Sequence, residues 1–249
     1  MIDDGLFERF PVQSIYAMHN WPALKPGMVG LNSGAMMAAA DRITIEITGK
    51  GGHGAHAYLA VDPVVVAGHI ITAVQSIVSR NVRPIDSAVI SLCAMQAGDL
   101  GAMSVIPGKA TLVGTVRTFN PDVQDLVERR LNELCSAIAL GLGATASVRY
   151  ERIYPATVNS AREAMFAADV AQALVGAEHV VRNMEPSMGA EDFSFMLQVK
   201  AGAYLRIGQG GEGSCFLHNS RYDFNDDILP LGSALHAGLI EQSMQLASH

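Results

Sequence analysis

The sequence predicts an α/β protein in which a self-contained domain interrupts a second one. Between residues 41 and 154, strand and helix patterns follow one another in the order β-α-β-β-α-β. The first flanking segment, 1–40, contains a predicted buried strand that is short of neighbours, and the second, 155–249, contains a further predicted strand and helices. A buried strand must find those neighbours elsewhere in the chain. We therefore expect 1–40 and 155–249 to form one α/β domain, with 41–154 inserted as a domain of its own.

The inserted domain opens with a half-buried strand. Ile43, Ile45 and Ile47 alternate with polar residues, which is the period of two expected of such a strand. Asp62 and Pro63 then start a helix whose apolar residues keep helical spacing. The remaining predicted elements are a strand at Ser87–Ala94, a strand at Ala110–Thr118, a helix from Pro121 and a strand at Ala144–Ile153. This order is typical of the ferredoxin-like fold.

The flanking segments contain fewer elements. Val12–Met18 is predicted to be a buried strand, with His19 at its carboxyl end, the usual ligand position in open α/β sheets. The residues from Pro22 to Gly34 are predicted to form an irregular loop. The other predicted elements are a helix at Ala161–Leu174, a strand at Ala203–Ile207 and a closing helix at Leu231–Leu246.

Composition narrows the class of partner. Of the 249 residues, 49% are hydrophobic and 16% are charged, as in a globular protein. The net charge of −7 argues against nucleic acid or an anionic membrane as a partner, because both require clustered lysine and arginine. The mean hydropathy of +0.23 is high for a soluble protein and indicates apolar surface that an oligomer or another segment covers.

The cysteines, the N-terminus and the longest apolar run indicate the cellular compartment. Cys93, Cys135 and Cys215 are odd in number and far apart, so we expect neither a disulfide framework nor a structural zinc site. The N-terminus carries acidic residues where a signal peptide needs basic ones. The longest apolar run, Val64–Val74, is shorter than the roughly 20 residues of a membrane span. We expect a soluble, cytoplasmic protein that does not bind membranes.

Two histidines are candidate metal ligands. His19 and His218 each precede an asparagine at a transition between a strand and a loop, and neutral imidazole binds zinc, manganese, cobalt or nickel. Either could instead be an ordinary loop or core histidine. A catalytic metal site needs at least three protein ligands. The acids that could complete it are Glu191, Asp192, Asp223, Asp226 and Asp227. Each acid could also cap a helix or satisfy loop amides.

Two further residues are candidates for substrate contacts. His53 lies in a turn between Gly52 and Gly54, where the backbone can approach another surface closely and the imidazole could donate to a substrate oxyanion. Arg117 could bind a carboxylate through its planar guanidinium. Each also has an ordinary interpretation, as a turn histidine and an exposed strand arginine. The sequence has no nucleophile elbow, phosphate loop or dinucleotide-binding motif.

Five stretches together resemble one family, in the same order. They are Ala17–Pro22, Gly51–Ala55 with Asp62–Pro63, Val105–Pro107 with Gly114–Phe119, Gly189–Ser194, and Leu217–Asn219 with Tyr222–Asp226. The family is that of the dinuclear-metal amidohydrolases, which includes hippurate hydrolases, N-acyl-amino-acid aminoacylases and auxin-conjugate hydrolases. The resemblance covers nearly the whole chain.

The resemblance implies a metallo-exopeptidase-like catalytic α/β domain with an inserted ferredoxin-like lid that also forms a homodimer. It implies two divalent metal ions per complete active site, with His19 and His218 among their ligands. The implied activity is hydrolysis of the amide of N-acyl or N-aroyl amino acids by metal-activated water.

The resemblance also implies roles for residues around the substrate. His53 of the partner subunit would polarise the scissile amide, and Arg117 would lie near the substrate carboxylate. Glu191 and Asp192 would lie near the substrate pocket.

The chain departs from the family pattern in one large respect. The family has an N-terminal part with a Gly-Cys-Gly-His-Asp-Gly-His-like stretch and a Glu-Glu pair, which supply the other metal ligands and the general base. That part is not in this sequence, so we expect this chain to be inactive alone. Ser104 also stands where family members often have Asn, and Ala57–Tyr58 where Pro-His is common. The alternatives are a non-catalytic dimerisation or binding module, and a dipeptidase or carboxypeptidase of the same superfamily.

Overall fold

The computed structural model describes residues 1–211 and 213–245. The helices are α1 (Leu6–Arg9), α2 (Pro63–Ala73), α3 (Gln75–Arg80), α4 (Pro121–Gly141), α5 (Ala161–Val175), α6 (Phe193–Val199) and α7 (Leu229–Gln245). The strands are β1 (Ile15–Trp21), β2 (Val29–Gly30), β3 (Gly34–Met37), β4 (Ala39–Thr48), β5 (Gly52–His53), β6 (Ala88–Ala97), β7 (Val105–Ile106), β8 (Lys109–Thr118), β9 (Thr145–Tyr154), β10 (Thr157–Asn159), β11 (Val180–Val181) and β12 (Gly202–Gly208). Short 3-10 helices occur at Gly54–Leu59, Ala177–His179 and Asp226–Ile228. The predicted α/β class is confirmed.

The chain divides into two compact units. The first comprises Met1–Met37, Thr157–Ser187 and Glu191–His249. The second comprises Ala38–Ala156 with Met188–Ala190. The predicted insertion, 41–154, lies within the second unit, which begins three residues earlier, ends two residues later and adds a short return segment.

The second unit contains one antiparallel four-stranded sheet. Its strand order is β6-β8-β4-β9, which is the strand order of the ferredoxin-like fold. Isoleucines at alternate positions of β4 point into the core, where they meet the apolar faces of the helices. The fully buried members of this core include Ile43, Ile45, Ile47, Ile70, Leu112 and Leu131. Strands β5 and β7, which the sequence did not predict, form a separate small antiparallel pair.

One segment of this unit has the length and apolarity of a membrane span. It runs from Pro63 to Arg80 and covers α2 and α3. Core helices of soluble proteins share this length and apolarity. Ile70, Val74 and Ile77 of this segment are fully buried in the core of the unit.

A carboxylate is buried within the second unit. Asp41, on β4, is 1% exposed and accepts hydrogen bonds of 2.8 Å from the Gln124 side chain on both oxygens. The Tyr150 hydroxyl donates a further bond of 2.5 Å. Burial raises the pKa of Asp41, although both hydrogen bonds and the charge of Arg152 act in the opposite direction. Gln124 and Tyr150 are uncharged donors, and among the described residues Asp41 forms no direct ion pair.

The first unit is built on a mixed sheet of order β1-β12-β2-β11. Strands β1 and β12 are parallel, and β12 and β2 are antiparallel. One face of β12 packs into a core with α5 and α7, and its members include Ala167, Val170, Ala203, Leu205, Ile207 and Leu235. The second face carries Tyr204, which packs with Met36 and Met37.

The first strand differs from its predicted position. It pairs with β12 from Ile15↔Gly202 to Trp21↔Gly208, so it begins and ends three residues later than predicted. Its seven residues match the length of its partner, which begins only at Gly202. His19 therefore lies two residues before the end of the strand, and not after it. The predicted loop from Pro22 to Gly34 also contains β2 and the start of β3.

The insertion leaves and rejoins the first unit through one ladder. Strands β3 and β10 pair antiparallel, with Met37 opposite Thr157. Asn159 at the end of β10 is 3% exposed; it accepts from the Tyr204 N–H at 2.7 Å and donates to the Tyr204 carbonyl at 3.0 Å and the Asn32 carbonyl at 2.9 Å. The closing helix α7 begins two residues before the predicted start, and the predicted end, Leu246, lies outside the described residues.

Candidate active site

One face of the β1–β12 pair carries polar side chains. His19 and Trp21 on β1 lie beside Tyr204 and Arg206 on β12. Successive strand residues alternate between faces, so these four residues lie opposite the core of α5 and α7. A buried sheet face that carries ionisable groups is a candidate site rather than a packing surface.

His19 is held in one tautomer. Its Nδ1 lies 2.7 Å from the carbonyl oxygen of Asn20. A carbonyl can only accept, so Nδ1 donates its hydrogen and Nε2 keeps its lone pair in the neutral ring. This arrangement is the usual second contact of a metal-ligating histidine. The half-buried imidazole also lies 6.4 Å from the Tyr204 ring, centroid to centroid.

Glu191 reaches the same strand face. Its Oε2 accepts a hydrogen bond of 3.0 Å from the Tyr204 hydroxyl, and its Oε1 accepts one of 3.3 Å from the Phe193 N–H at the start of α6. Burial raises the pKa of Tyr204, and the adjacent Glu191 carboxylate raises it further. Asp192 is exposed and makes no capping bond to α6. Tyr204 thus lies beside His19 and bonds to Glu191, whereas the charge of Asp192 acts on Tyr204 only as a smaller cause of its raised pKa.

A hydrogen-bonded amide network joins the His19 and His218 segments. The Asn20 side chain donates to Gln209 at 2.8 Å and also contacts the Tyr222 hydroxyl. Tyr222 in turn donates to Gln209 at 3.0 Å, and Gln209 donates to the carbonyl of Asp223 at 2.8 Å. The end of β1 is therefore tied to the loop that follows His218.

His218 itself lies in a turn with unusual backbone geometry. Its φ of 64° is the only positive value for a non-glycine residue in the described part of the chain, and its side chain is exposed. Backbone in this region is strained for most residues and often occurs at functional sites. Next to this turn is an open cleft of about 220 Å³, lined by Gln209, Gly210, Ser214, Cys215, Arg221, Asp223 and Asn225.

The described residues bring no third ligand together with His19 and His218. Among residues 1–211 and 213–245, no group of three or more His, Cys, Asp or Glu side chains is placed to hold a metal ion. Glu191 is bonded to Tyr204 and the start of α6. The tautomer of His19 is the one that a metal ligand requires, but the described residues do not form a complete metal site. No catalytic step on a metal follows from this chain alone.

His53 lies in the second unit and takes the opposite tautomer. Its Nδ1 accepts a hydrogen bond of 3.1 Å from the Ala55 N–H, so Nε2 carries the hydrogen of the neutral ring. The turn is fixed by pairing of His53 with Val105 and by a 2.7 Å bond from the Gly54 N–H to the Ser104 carbonyl. Because His53 is exposed, its Nε2–H can donate to a ligand.

Arg117 also lies in the second unit. It is near the end of β8, between Ala40 on β4 and Val89 on β6. Its Nε donates to the Thr115 hydroxyl at 3.1 Å, and the residue is partly exposed. Its side chain faces away from the helices, because the alternate residues of β8 are the buried ones.

The sequence interpretation missed three residues of the polar face and its network. Gln209 follows β12 within a glycine-rich loop, and Tyr204 and Arg206 lie inside the predicted strand Ala203–Ile207, where neither was named as a site residue. All three are buried. The available signal was an arginine and a tyrosine at alternate positions of an apolar strand, because a buried arginine requires partners.

Comparison with known proteins gives the family. The family model for peptidase family M20/M25/M40 matches residues 1–242. The chain is 38% identical over 239 residues to the hippurate hydrolase of Campylobacter jejuni, covering 96% of this chain and 61% of that protein. It is 34% identical over 228 residues to an N-acetylcysteine deacetylase of Bacillus subtilis, covering 92% and 58%.

A solved structure agrees with these matches. The Bacillus subtilis YXEP protein, described as a dinuclear metal binding peptidase from the M20 family, superimposes with a TM-score of 0.78 at 28% identity. The match covers 96% of this chain and 58% of that one. The chain thus spans about 60% of the length of these relatives. The predicted relationship to the amidohydrolases is confirmed, and the chain belongs to peptidase family M20/M25/M40.

Proposed function

We propose that this chain contributes to hydrolysis of the amide bond of N-acyl or N-aroyl amino acids, such as hippurate. The observation that carries the proposal is the opposite tautomers of two histidines. His19 exposes a lone pair on Nε2, as a metal ligand requires, whereas His53 exposes an N–H, as a donor to an amide oxygen requires.

The remaining roles follow the resemblance. His19 and His218 would hold divalent metal, for which manganese, zinc, cobalt and nickel are all suitable. A pair of such ions supplies Lewis acidity and an activated water at neutral pH. His53 would stabilise negative charge on the amide oxygen, and Arg117 would bind the substrate carboxylate. Glu191 and Asp192 would line the substrate pocket, with Glu191 held by Tyr204.

We propose that the 249-residue chain alone has little or no activity. Its described residues offer no group of three metal ligands. The test compares this chain with a longer one that adds the N-terminal segment expected from the resemblance. Metal content is measured by elemental analysis and turnover with hippurate. Hippurate hydrolysis by the 249-residue chain itself, stimulated by metal, would contradict the proposal.

Variants of the longer chain test the individual roles. His19→Ala and His218→Ala should lower metal content and activity together. His53→Ala should lower kcat about 10²- to 10³-fold with unchanged metal content, as loss of an oxyanion donor does. His53→Gln, which keeps an N–H donor, should retain more activity. His179→Ala is the control, because His179 is exposed and, within the part of the chain that the structure describes, bonds only to local groups in α5 and its own turn.

We also propose a cytoplasmic homodimer formed through the second unit. Its sheet ends in β6, a ten-residue strand that pairs only with β8 among the described strands and exposes Met95. Helix α2 exposes Val64 and Val65. Unpaired edge strands readily accept a second copy. Light scattering should give twice the monomer mass, and Met95→Lys should reduce it.

Two alternatives have distinct outcomes. A dipeptidase or carboxypeptidase is supported by the peptidase description of the family, and it would hydrolyse free dipeptides faster than hippurate. A non-catalytic dimerisation or binding module would self-associate, but its longer chain would bind no metal and hydrolyse neither substrate.

A further inference from the structure

Arg206 is a buried cation without an acidic partner. It lies on β12, whose seven residues are all buried, and is itself 1% exposed. No carboxylate of the described residues forms an ion pair with it. Burial lowers its pKa to about 10. Burying an unpaired charge costs free energy, so an apolar residue at this position would give a more stable fold. The presence of arginine here therefore indicates a role other than stability.

The contacts of the guanidinium converge on one loop. Its Nη2 donates to the Ser187 hydroxyl at 2.6 Å and to the Met36 carbonyl at 3.4 Å, and its Nη1 donates to the Glu185 carbonyl at 3.5 Å. The Ser187 N–H donates to the same Met36 carbonyl at 3.0 Å. Arg206 thus binds neutral oxygens of residues 185–187 and of the neighbouring strand β3.

The guanidinium also stacks on the chain's single tryptophan. Its central carbon lies 3.6 Å from the centre of the Trp21 ring. Trp21 is the last residue of β1, two residues after His19. A planar guanidinium can stack and donate in its own plane at the same time, which an ammonium group cannot.

We propose that Arg206 is a positioning residue, which fixes the loop leading to Glu191 through Ser187 and Glu185 and fixes the end of β1 beyond His19 through Trp21. Two residues earlier on the same strand face, Tyr204 holds the Glu191 carboxylate directly. One strand therefore orients both ends of the loop that carries the acid. The role in catalysis rests on the proposed function, whereas the role in holding the loop does not.

Hydrogen exchange on the 249-residue chain tests the structural half of this proposal. Ser187→Ala removes only the shortest bond, and Arg206→Lys keeps the charge without the planar group. In both variants, amides in peptides spanning 182–195 should exchange about tenfold faster or more, as expected for loss of a charge-assisted bond. Peptides from α5 and β8 should not change. Arg182→Met is the matched control, because Arg182 begins the same segment but bonds to exposed Asp169.

Two results would overturn the proposal. One is unchanged exchange over 182–195 in Ser187→Ala. The other is a combined pattern in which Arg206→Lys speeds exchange evenly over the first unit while Ser187→Ala changes no exchange rate. That pattern would mean that Arg206 contributes only to core packing. Since Ser187 is only half-buried, its variant should fold even where an Arg206 variant does not.

Kinetics on the longer chain test the catalytic half. Ser187→Ala should lower kcat for hippurate about tenfold, with KM changed less than twofold and metal content unchanged, because small displacements of a positioned group reduce catalysis strongly. If the longer wild-type chain hydrolyses no amide, the proposed function fails and the exchange result still stands. If it is active and Ser187→Ala retains full kcat, the positioning role in catalysis is wrong.

Discussion

The Tyr204 hydroxyl donates a 3.0 Å hydrogen bond to a carboxylate oxygen of Glu191, and the same phenol ring lies 6.4 Å from the imidazole of His19. A residue in the middle of β12 therefore links an acid on a loop to a histidine on the neighbouring strand. In the sequence, His19 and Tyr204 are 185 positions apart. The proximity of His19 to Tyr204 depends on the parallel register of β1 and β12, and Glu191 joins them through its hydrogen bond to Tyr204.

Tyr204→Phe should destabilise the first unit. The change removes one of the two donors that the Glu191 carboxylate has within the described residues, while the ring still fills its buried position. Hydrogen bonds to charged groups contribute about 1.5–3 kcal/mol, so we expect a loss of about 2 kcal/mol in the free energy of unfolding. Urea titration measures it. Tyr58→Phe, at a residue that is 81% exposed, should leave stability unchanged.

Asn159→Ala should destabilise the first unit more than Tyr204→Phe does. It removes two donated bonds and leaves the Tyr204 N–H without its acceptor in a buried position. An unsatisfied buried donor together with the lost bonds should cost about 3 kcal/mol, measured by urea unfolding. Asn132→Ala is the control, because Asn132 is on the exposed face of α4 and should change stability by less than about 0.5 kcal/mol.

Asp41 should make the stability of the second unit depend on pH. Its folded pKa is raised above the ordinary value of about 4, so the folded state binds the proton more tightly than the unfolded state. The contribution of Asp41 to the unfolding free energy therefore falls as pH rises from about 4 through the folded pKa. Asp41→Asn should gain stability relative to wild type over that interval, measured by thermal unfolding at each pH.

A second variant checks the cause of this pH dependence. The hydrogen bond from Tyr150 lowers the pKa of Asp41, so Tyr150→Phe should raise that pKa further. The pH interval over which Asp41 reduces the free energy of unfolding should then be wider. A difference between wild type and Asp41→Asn that is constant from pH 4 to pH 8 would contradict the assignment.

Alanine substitutions at two glycines of the second unit should change the free energy of unfolding in opposite directions. A Cβ on Gly114 would lie 2.1 Å from the Ser91 carbonyl oxygen, so Gly114→Ala must push β6 away from β8. We expect a loss of about 2–3 kcal/mol, as in overpacked cores. Gly68 lies inside α2 with nothing within 4 Å of its Cβ position, so Gly68→Ala should raise stability by about 0.5–1 kcal/mol. Equal effects in denaturant titrations would refute the close-approach explanation.

The elements of the insertion could be predicted because each strand and helix of that unit buries one regular face. The alternation of Ile43, Ile45 and Ile47 and the spacing of Ile70, Val74 and Ile77 place these residues in one core. Two-residue strands such as β5 and β7 have no such periodicity. They exist because Gly52 and His53 meet Ile106 and Val105 from a distant part of the chain, which no local pattern encodes.

The candidate site was less predictable for the same reason. His19 and His218 stand out in the sequence because they lie beside polar residues, but the partners of each depend on tertiary contacts. Asn20 reaches Gln209 and Tyr222, which lie 189 and 202 positions away along the chain. The strand of Arg206 was correctly placed, yet the use of its charge depends on residues 185–187, whose path follows no helix or strand period.

Met37 and Thr157 face each other across β3 and β10, so the two ends of the insertion are roughly 5 Å apart. A linker of two or three residues could therefore replace 119 amino acids, from Ala38 to Ala156, without breaking the ladder that closes the host. The inserted ferredoxin-like unit could therefore be removed from the chain as one segment. A shortened chain of this kind should keep the sheet that bears His19, Tyr204 and Arg206 in the same register.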